Sequence, residues 1–424
     1  METYAKVLNY AVPFFITLII IEQVAASWMG KKVNRGPDVI SSLSSGNTNA
    51  IKDVLGLSIA IVGYEWLVNK VALFEIQTTA VAVAVAFVAK DFAGYWMHRW
   101  EHEINFLWNR HIIHHSSEEF NLSCALRQSI SEVFSIFALL MLPAALLGVP
   151  AKVVAIVAPI HLFAQFWYHT RLIGKMGFLE KFLVTPSHHR VHHAINPEYL
   201  DKNYSQVFII WDKLFGTFQP EMTSVPPVYG VKRPVRTWNP ILINFQHFWL
   251  LFQDALRTKN WKDKWLLWFK PTGYRPADVA TAYPVQIVDD LNNFEKYHSH
   301  PGQKLLGWSW FQMTATFLLM FYLFNNIADI GMPGMFLYGA FLFICIYSYT
   351  SLLDKSKQAL TAEFVKTIAG LGIVVWQGND WFGLSAISPV YVYVFIAYLL
   401  VSLGVVWYFV QTEVEKVKRV GSPA

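Results

Sequence analysis

The stretch AVAVAVAFVAKDFAGYWMHRWEHE, residues 80–103, decides the fold. From Ala80 to Val88 alanine and valine nearly alternate, a period that would suit a strand. The apolar segment is too long for that and lacks turn residues, so it reads as a buried helix. A helix needs about 20 mostly apolar residues to cross a bilayer, and this one ends on HRWEHE. His98 and His102 stand four residues apart, on one face, where the span leaves the membrane.

Working outward, the 424-residue chain is 54% apolar, 16% aromatic and only 15% charged, which is membrane composition. Apolar segments near 7–29, 54–75, 78–98, 130–149, 151–169, 305–329, 333–353, 362–378 and 388–411 give about nine spans. The expected fold is an all-α polytopic membrane helix bundle with a helical cytosolic cap. Residues 1–303 form the histidine-bearing part and 304–424 the C-terminal transmembrane helices. The first apolar run is too long for a signal h-region and lacks a basic n-region and a cleavage site, so it reads as the first span. Cys124 and Cys345 have no framework spacing, and no structural disulfide is expected.

One set of loops carries Lys31, Lys32 and Arg35, then Arg99, Arg110 and Arg127, then the basic stretch from Arg171 to Lys304. Lys355, Lys357, Lys416, Lys418 and Arg419 fall on the same side, and the opposite loops hold little beyond Lys70 and Lys152. The positive-inside rule puts the long segments and the C-terminus in the cytosol. The membrane is then the endoplasmic reticulum in a eukaryote or the cytoplasmic membrane in a bacterium, and no nucleic-acid partner is expected. Residues 170–303 are too long for a bare connection and read as the cap. Within them WNPILINFQHFWLLFQDALRT (238–258) and NWKDKWLLWFKPTGYRP (260–276) mix Trp and Phe with Lys and Arg at helical spacing. They suit helices lying in the membrane interface, or equally a cap core with a solvated face. Two glycosylation sequons, at Asn121 and Asn203, are chance matches if those loops are cytosolic.

Ten of the fourteen histidines fall in four places. After His98 and His102 comes HIIHH, with His111, His114 and His115. QFWYHT sets Gln165 four residues before His169, and HHRVHH holds His188, His189, His192 and His193. Two of these boxes share the spacing HxxHH. On a helix, positions i, i+3 and i+4 share a face, so each box can aim its imidazoles at a common centre. Neutral imidazole binds Zn, Cu, Fe and Ni alike. Eight or nine converging imidazoles are too many for one ion and about right for two. Taken singly, an HxxxH pair could be a surface pair, and a lone histidine in a span is more often a satisfied core residue; three boxes at cytosolic ends resist that explanation. His98 to His102 also spells HxxEH, a zinc protease signature with Glu101 as base, but that reading leaves both HxxHH boxes without a role.

Metal-bound histidines usually donate their other N–H to a carboxylate or carbonyl. Asp91, seven residues before His98 in a span otherwise apolar except for Lys90, needs a partner and is expected to orient a box histidine. Glu103, Glu118 and Glu119 follow boxes and could do the same. Gln165 and His188 are expected beside the ligands, His161 beside them or in the core, and Glu22 and Glu65 in packing or interfacial roles.

A two-metal, histidine-rich site at the membrane face points to oxygen chemistry on lipids, with the protein supplying ligation, an open position and exclusion of water. Zinc could occupy such ligands but cannot cycle electrons.

The order HxxxH, HxxHH, HxxHH resembles the fatty acid hydroxylase and sterol desaturase superfamily of membrane di-iron enzymes. DFAGYWMHRWEHEIN, HHSSEEFNLSCALRQS, QFWYHT and TPSHHRVHHAINPEYLDKNYSQVFIIWDKLFGTF resemble its ether-lipid monooxygenases most, densely from Asp91 to Phe218. The resemblance implies a mixed-function oxidase using O2, two iron ions and tetrahydrobiopterin, which hydroxylates the carbon next to the ether oxygen of an alkylglycerol. It carries over His98, His102, His111, His114, His115, His189, His192 and His193 as metal ligands and Glu103 as the acidic residue after the first box. Distant members have a histidine pair where this chain has Gln165 and His169. A bilayer lipid is the implied substrate, with a reductase or a pterin-recycling enzyme as electron-donating partner. Sterol, carotenoid or fatty acyl substrates, and a metal transporter, are the rival readings.

Overall fold

Ala80–Glu103 forms one helix in the computed structural model, which describes residues 2–77 and 79–414. Thr79 caps it by accepting the Ala82 N–H at 3.3 Å, satisfying one of the four free amides at a helix start. At Ile104 the backbone turns extended, and a second helix, Asn105–His115, doubles back against the first.

Five helices among the described residues are long and apolar enough to cross a membrane: Glu2–Trp28, Ala80–Glu103, Gly334–Leu353, Gln358–Trp376 and Pro389–Val414. A further long helix, Gln303–Asn325, turns Ser309, Gln312 and Thr316 inward. The bundle is helical, as its composition implies, but several apolar segments are not single helices. Residues 54–75 break at Gly56, where φ is +64°, into a two-residue strand, Ile59–Ala60, and a short helix, Tyr64–Val71. Residues 130–149 split likewise: Phe134–Ser135 pairs in parallel with Ile59–Ala60, and the helices Phe137–Leu140 and Leu142–Leu146 follow. The helix Ala151–Phe163 stops six residues short of His169. Hydropathy averaged over a window registers apolar content and passes over such breaks in the backbone.

The Gly36–Val54 helix was hidden by its composition, because a run of Ser, Asn and Thr reads as a loop. Val39, Ile40, Ile51 and Val54 enter the same core as Phe324, Tyr338, Phe341 and Tyr349 of the C-terminal helices. Most of its polar residues are buried, and several are paired: Ser44 shares a 2.6 Å hydrogen bond with Tyr349, and Asp38 accepts from Arg127 at 3.0 Å. The helix thus joins the C-terminal bundle to the loop after the second histidine box. Both cysteines are free and buried. Lys416, Lys418 and Arg419 lie outside the described residues.

Candidate metal centre

Three elements carry the boxes: the 80–103 helix brings His98 and His102, the 105–115 helix brings His111, His114 and His115, and the short helix Pro186–His192 brings His189 and His192, with His193 closing it. They converge, with His169, on two adjacent groups. His98, His102, His111, His115 and His192 form one, and His114, His169, His189 and His193 the other. Within each group the candidate ligand atoms lie within 4.8 Å of one another. His115 and His193 stack across the boundary with ring centroids 4.3 Å apart.

The HxxHH boxes therefore do not aim at one centre each, as their spacing had suggested. With about 100° per residue, i and i+4 stand about 40° apart on the helix, and i+3 lies about 60° to the other side. So His111 and His115 serve one group while His114 serves the other; His189 and His193 pair in the second group while His192 crosses to the first.

Backbone carbonyls set the tautomers. The Nδ1–H of His98 donates to Tyr204 O at 2.6 Å and that of His192 to Lys202 O at 3.0 Å. His169 donates to Gln165 O at 2.9 Å and His114 to Arg127 O at 3.3 Å. Burial keeps the imidazoles neutral: His169 is pushed down to about 3, and His111, His114, His115, His189, His192 and His193 fall well below the ordinary histidine range. A neutral ring whose Nδ1 carries the proton presents a bare lone pair at Nε2. The His114 and His169 Nε2 atoms nonetheless face each other at 3.3 Å. No hydrogen bond can join two acceptors. Two ligands about 2.0–2.1 Å from one ion sit about 2.8–3.0 Å apart at right angles and about 3.3–3.4 Å apart in a tetrahedron. The other Nε2 pairs fit that range too: His98 and His111 at 2.9 Å, His102 and His115 at 3.1 Å, His169 and His189 at 2.8 Å, and His189 and His193 at 3.0 Å. Nε2 of His192 is buried with no partner in the protein. The donor set suits metal ions better than it suits itself.

Asp91 does not orient a box histidine. Seven residues of helix put it about 10.5 Å from His98 along the axis, too far for contact. Its two oxygens instead accept four bonds: from His161 Nε2 at 2.8 Å and Val207 N at 2.9 Å, and from Phe208 N at 3.0 Å and Trp211 Nε1 at 2.8 Å. Asp91 thereby clamps the segment whose Tyr204 carbonyl holds His98. Through His161 it also reaches Gln165, whose side-chain amide lies 3.1 Å from His161 Nδ1 and whose carbonyl holds His169. Gln165 thus contributes its backbone. Glu103 is ion-paired with Arg99 at 2.9 Å, 40% exposed, and belongs to neither group. Two carboxylates do lie beside box histidines: Glu101, 3.4 Å from His111 Nδ1, which the sequence offered only through the protease-like HxxEH, and exposed Asp201, 4.0 Å from His102 Nδ1. Glu118 and Glu119 pair with Arg35, and Glu119 also with Arg171 and Lys296. His188 is buried against Phe218, outside both groups. Glu22 is buried as a packing group, accepting from Thr170 and Leu122.

The fatty acid hydroxylase family matches residues 83–217, the stretch that carries all nine of these histidines. Over 375 residues the chain is 34% identical to alkylglycerol monooxygenase of Homo sapiens, covering 87% of this chain and 83% of that one. The Danio rerio protein of the same name is 32% identical over 382 residues, 87% of this chain and 82% of its own. Ornithine lipid hydroxylase OlsE of Rhizobium tropici is 32% identical over 140 residues, 33% of this chain and 42% of its own. No solved structure matches significantly. With likeness to the two vertebrate proteins running through both the histidine half and the C-terminal helices, the chain belongs to the alkylglycerol monooxygenase family.

Proposed function

We propose that this protein is a membrane di-iron monooxygenase that hydroxylates the carbon next to the ether oxygen of alkylglycerols, on the cytosolic face of the endoplasmic reticulum or of a bacterial cytoplasmic membrane. The observation that carries the reading is the division of nine neutral imidazoles, seven of them buried and His111 and His114 half-buried, into groups of five and four. Two iron ions held there would supply the redox chemistry that cleaves O2 and oxidises an unactivated C–H bond, which no side chain can provide. The group of four would hold its ion with one imidazole fewer than the group of five, and O2 or substrate would bind on that side.

The overall change consumes O2, two electrons and two protons and gives a hemiacetal and water. The hemiacetal then collapses to fatty aldehyde and glycerol or its derivative. Tetrahydrobiopterin, by the family resemblance, would bring the two electrons and be restored by a recycling enzyme; a reductase is the other possible donor. The protein's part is to hold the ligands in one tautomer, to keep water out, and to seat the alkyl chain. An apolar groove of about 450 Å³, lined by Val85, Val88, Ala89, Phe92, Pro143 and Trp211, suits that chain. Phe92 lies six residues, about 9 Å, from His98 on the same helix. Glu103 would act from the rim without ligating.

Purified protein incubated with a 1-O-alkylglycerol, tetrahydrobiopterin and O2 should release fatty aldehyde. No aldehyde above a His192→Ala control would sink the proposal. The likeness to the ornithine lipid hydroxylase, confined to about a third of this chain, favours a second reading in which another lipid is hydroxylated; a hydroxylated acyl chain without aldehyde would support it.

A further inference from the structure

The two aromatic segments that the sequence left open between interface and cap core form the helices Pro240–Arg257 and Trp261–Leu266. The first buries polar groups beside Ile243 and Leu251 and carries a second apolar face outside. Asn244, His247 and Asp254 point inward and are buried, while Leu242, Phe245, Trp249, Phe252 and Leu256 form a stripe on the outer face, with Trp249 56% and Leu256 65% exposed. Trp261, Trp265 and Phe269 extend that surface, at 70%, 65% and 73% exposure. Water facing such a stripe would be unfavourable by tens of calories per square ångström, and a soluble helix carries the opposite arrangement. Lipid rewards it.

The charges point to the same neighbour. Between 257 and 270 the chain carries Arg257, Lys259, Lys262, Lys264 and Lys270 against one acid, Asp263, which is tied to Tyr274 and Asn260. Asp254 is ion-paired with Arg275 at 2.6 Å. Aromatic side chains flanked by lysines are what the headgroup region of an anionic bilayer accepts. We propose that residues 240–270 are a foot that lies in the anionic membrane interface without crossing it.

The foot is braced to the metal-bearing helix. His247 Nε2 donates to Asn105 O at 2.8 Å, Phe248 N–H to Asn109 Oδ1 at 2.9 Å, and the Asn105 amide to Leu267 O and Tyr274 O, both at 3.0 Å. Seating the foot therefore sets the depth at which His111, His114 and His115 stand beside the bilayer. This inference concerns the surface and does not depend on which lipid is oxidised.

The test uses the full chain in lipid nanodiscs, with nitroxide labels on Phe252→Cys and Trp265→Cys and a control on exposed Glu198→Cys; Cys124 and Cys345 are buried and stay unlabelled. Labels at 252 and 265 should collide more with O2 and several-fold less with a water-soluble nickel chelate than the label at 198, and should sit deeper in phosphatidylglycerol than in phosphatidylcholine. Nickel access equal to that at 198 would overturn the proposal, as would shielding from both reagents, which would mean that a protein copy covers the stripe. Equal depth in both lipids would overturn its anionic part.

Discussion

At Asp91 a single carboxylate receives four donors, and its replacement is correspondingly expensive. In Asp91→Asn one oxygen becomes an NH2, which must face two donors. We expect a loss of about 3 kcal/mol or more in stability, together with weaker metal retention in both groups, measured by melting and by metal content against a chelator. Trp211→Phe removes one of the four donors and should cost about 1 kcal/mol. Glu101 and Glu103 should separate: Glu101→Gln, beside His111, should weaken metal affinity roughly 10- to 100-fold, whereas Glu103→Gln should retain metal and lower turnover. Equal metal loss from both variants would contradict the placement of Glu103 outside the groups. The box histidines were legible because imidazole at helical spacing is a chemical signature. Most of their orienting partners were not, because Tyr204, Lys202 and Arg127 act through carbonyls that every residue possesses; Gln165 was expected beside the ligands and stands there, though through its carbonyl. Asp91 was legible as a buried charge needing a partner, and only the fold showed which.

Among the helices, the C-terminal bundle hides an ion pair that hydropathy passed over. Lys366 Nζ lies 2.5 Å from Glu363 Oε1, both 1% exposed, and Ser402, Ser348 and Gln312 complete the network. A lone buried charge is far costlier than a pair. Glu363→Leu should destabilise by about 3–5 kcal/mol, while Glu363→Leu with Lys366→Met should recover most of that loss, read as the shift in unfolding midpoint in detergent. The Gly36–Val54 helix escaped the sequence reading for the opposite reason. Its serines look like loop, and only their burial against Tyr349, Gln128 and Arg127 shows that they pack.

For the whole molecule, burial of so many neutral histidines ties stability to pH. His188 and His247 are pushed down by burial to about 4, against about 6.5 when unfolded. Between those values the unfolded chain binds protons that the folded chain refuses, so stability falls as pH drops below about 6.5, by up to about 1.4 kcal/mol per histidine per pH unit. Iron-loaded protein should be more stable but fall at least as steeply, since its liganding imidazoles bind no protons until unfolding releases the metal; melting curves from pH 7.5 to 5, with and without iron, would check this.

The division of each HxxHH box between two groups has a thermodynamic consequence. His192 and His193 are adjacent in the chain yet face different centres. Fixing that turn of helix for one ion spends conformational entropy that the second need not spend again. Occupancy of the two centres is then linked, and reciprocally so. A metal titration should rise sigmoidally, with half-filled protein scarce at every concentration.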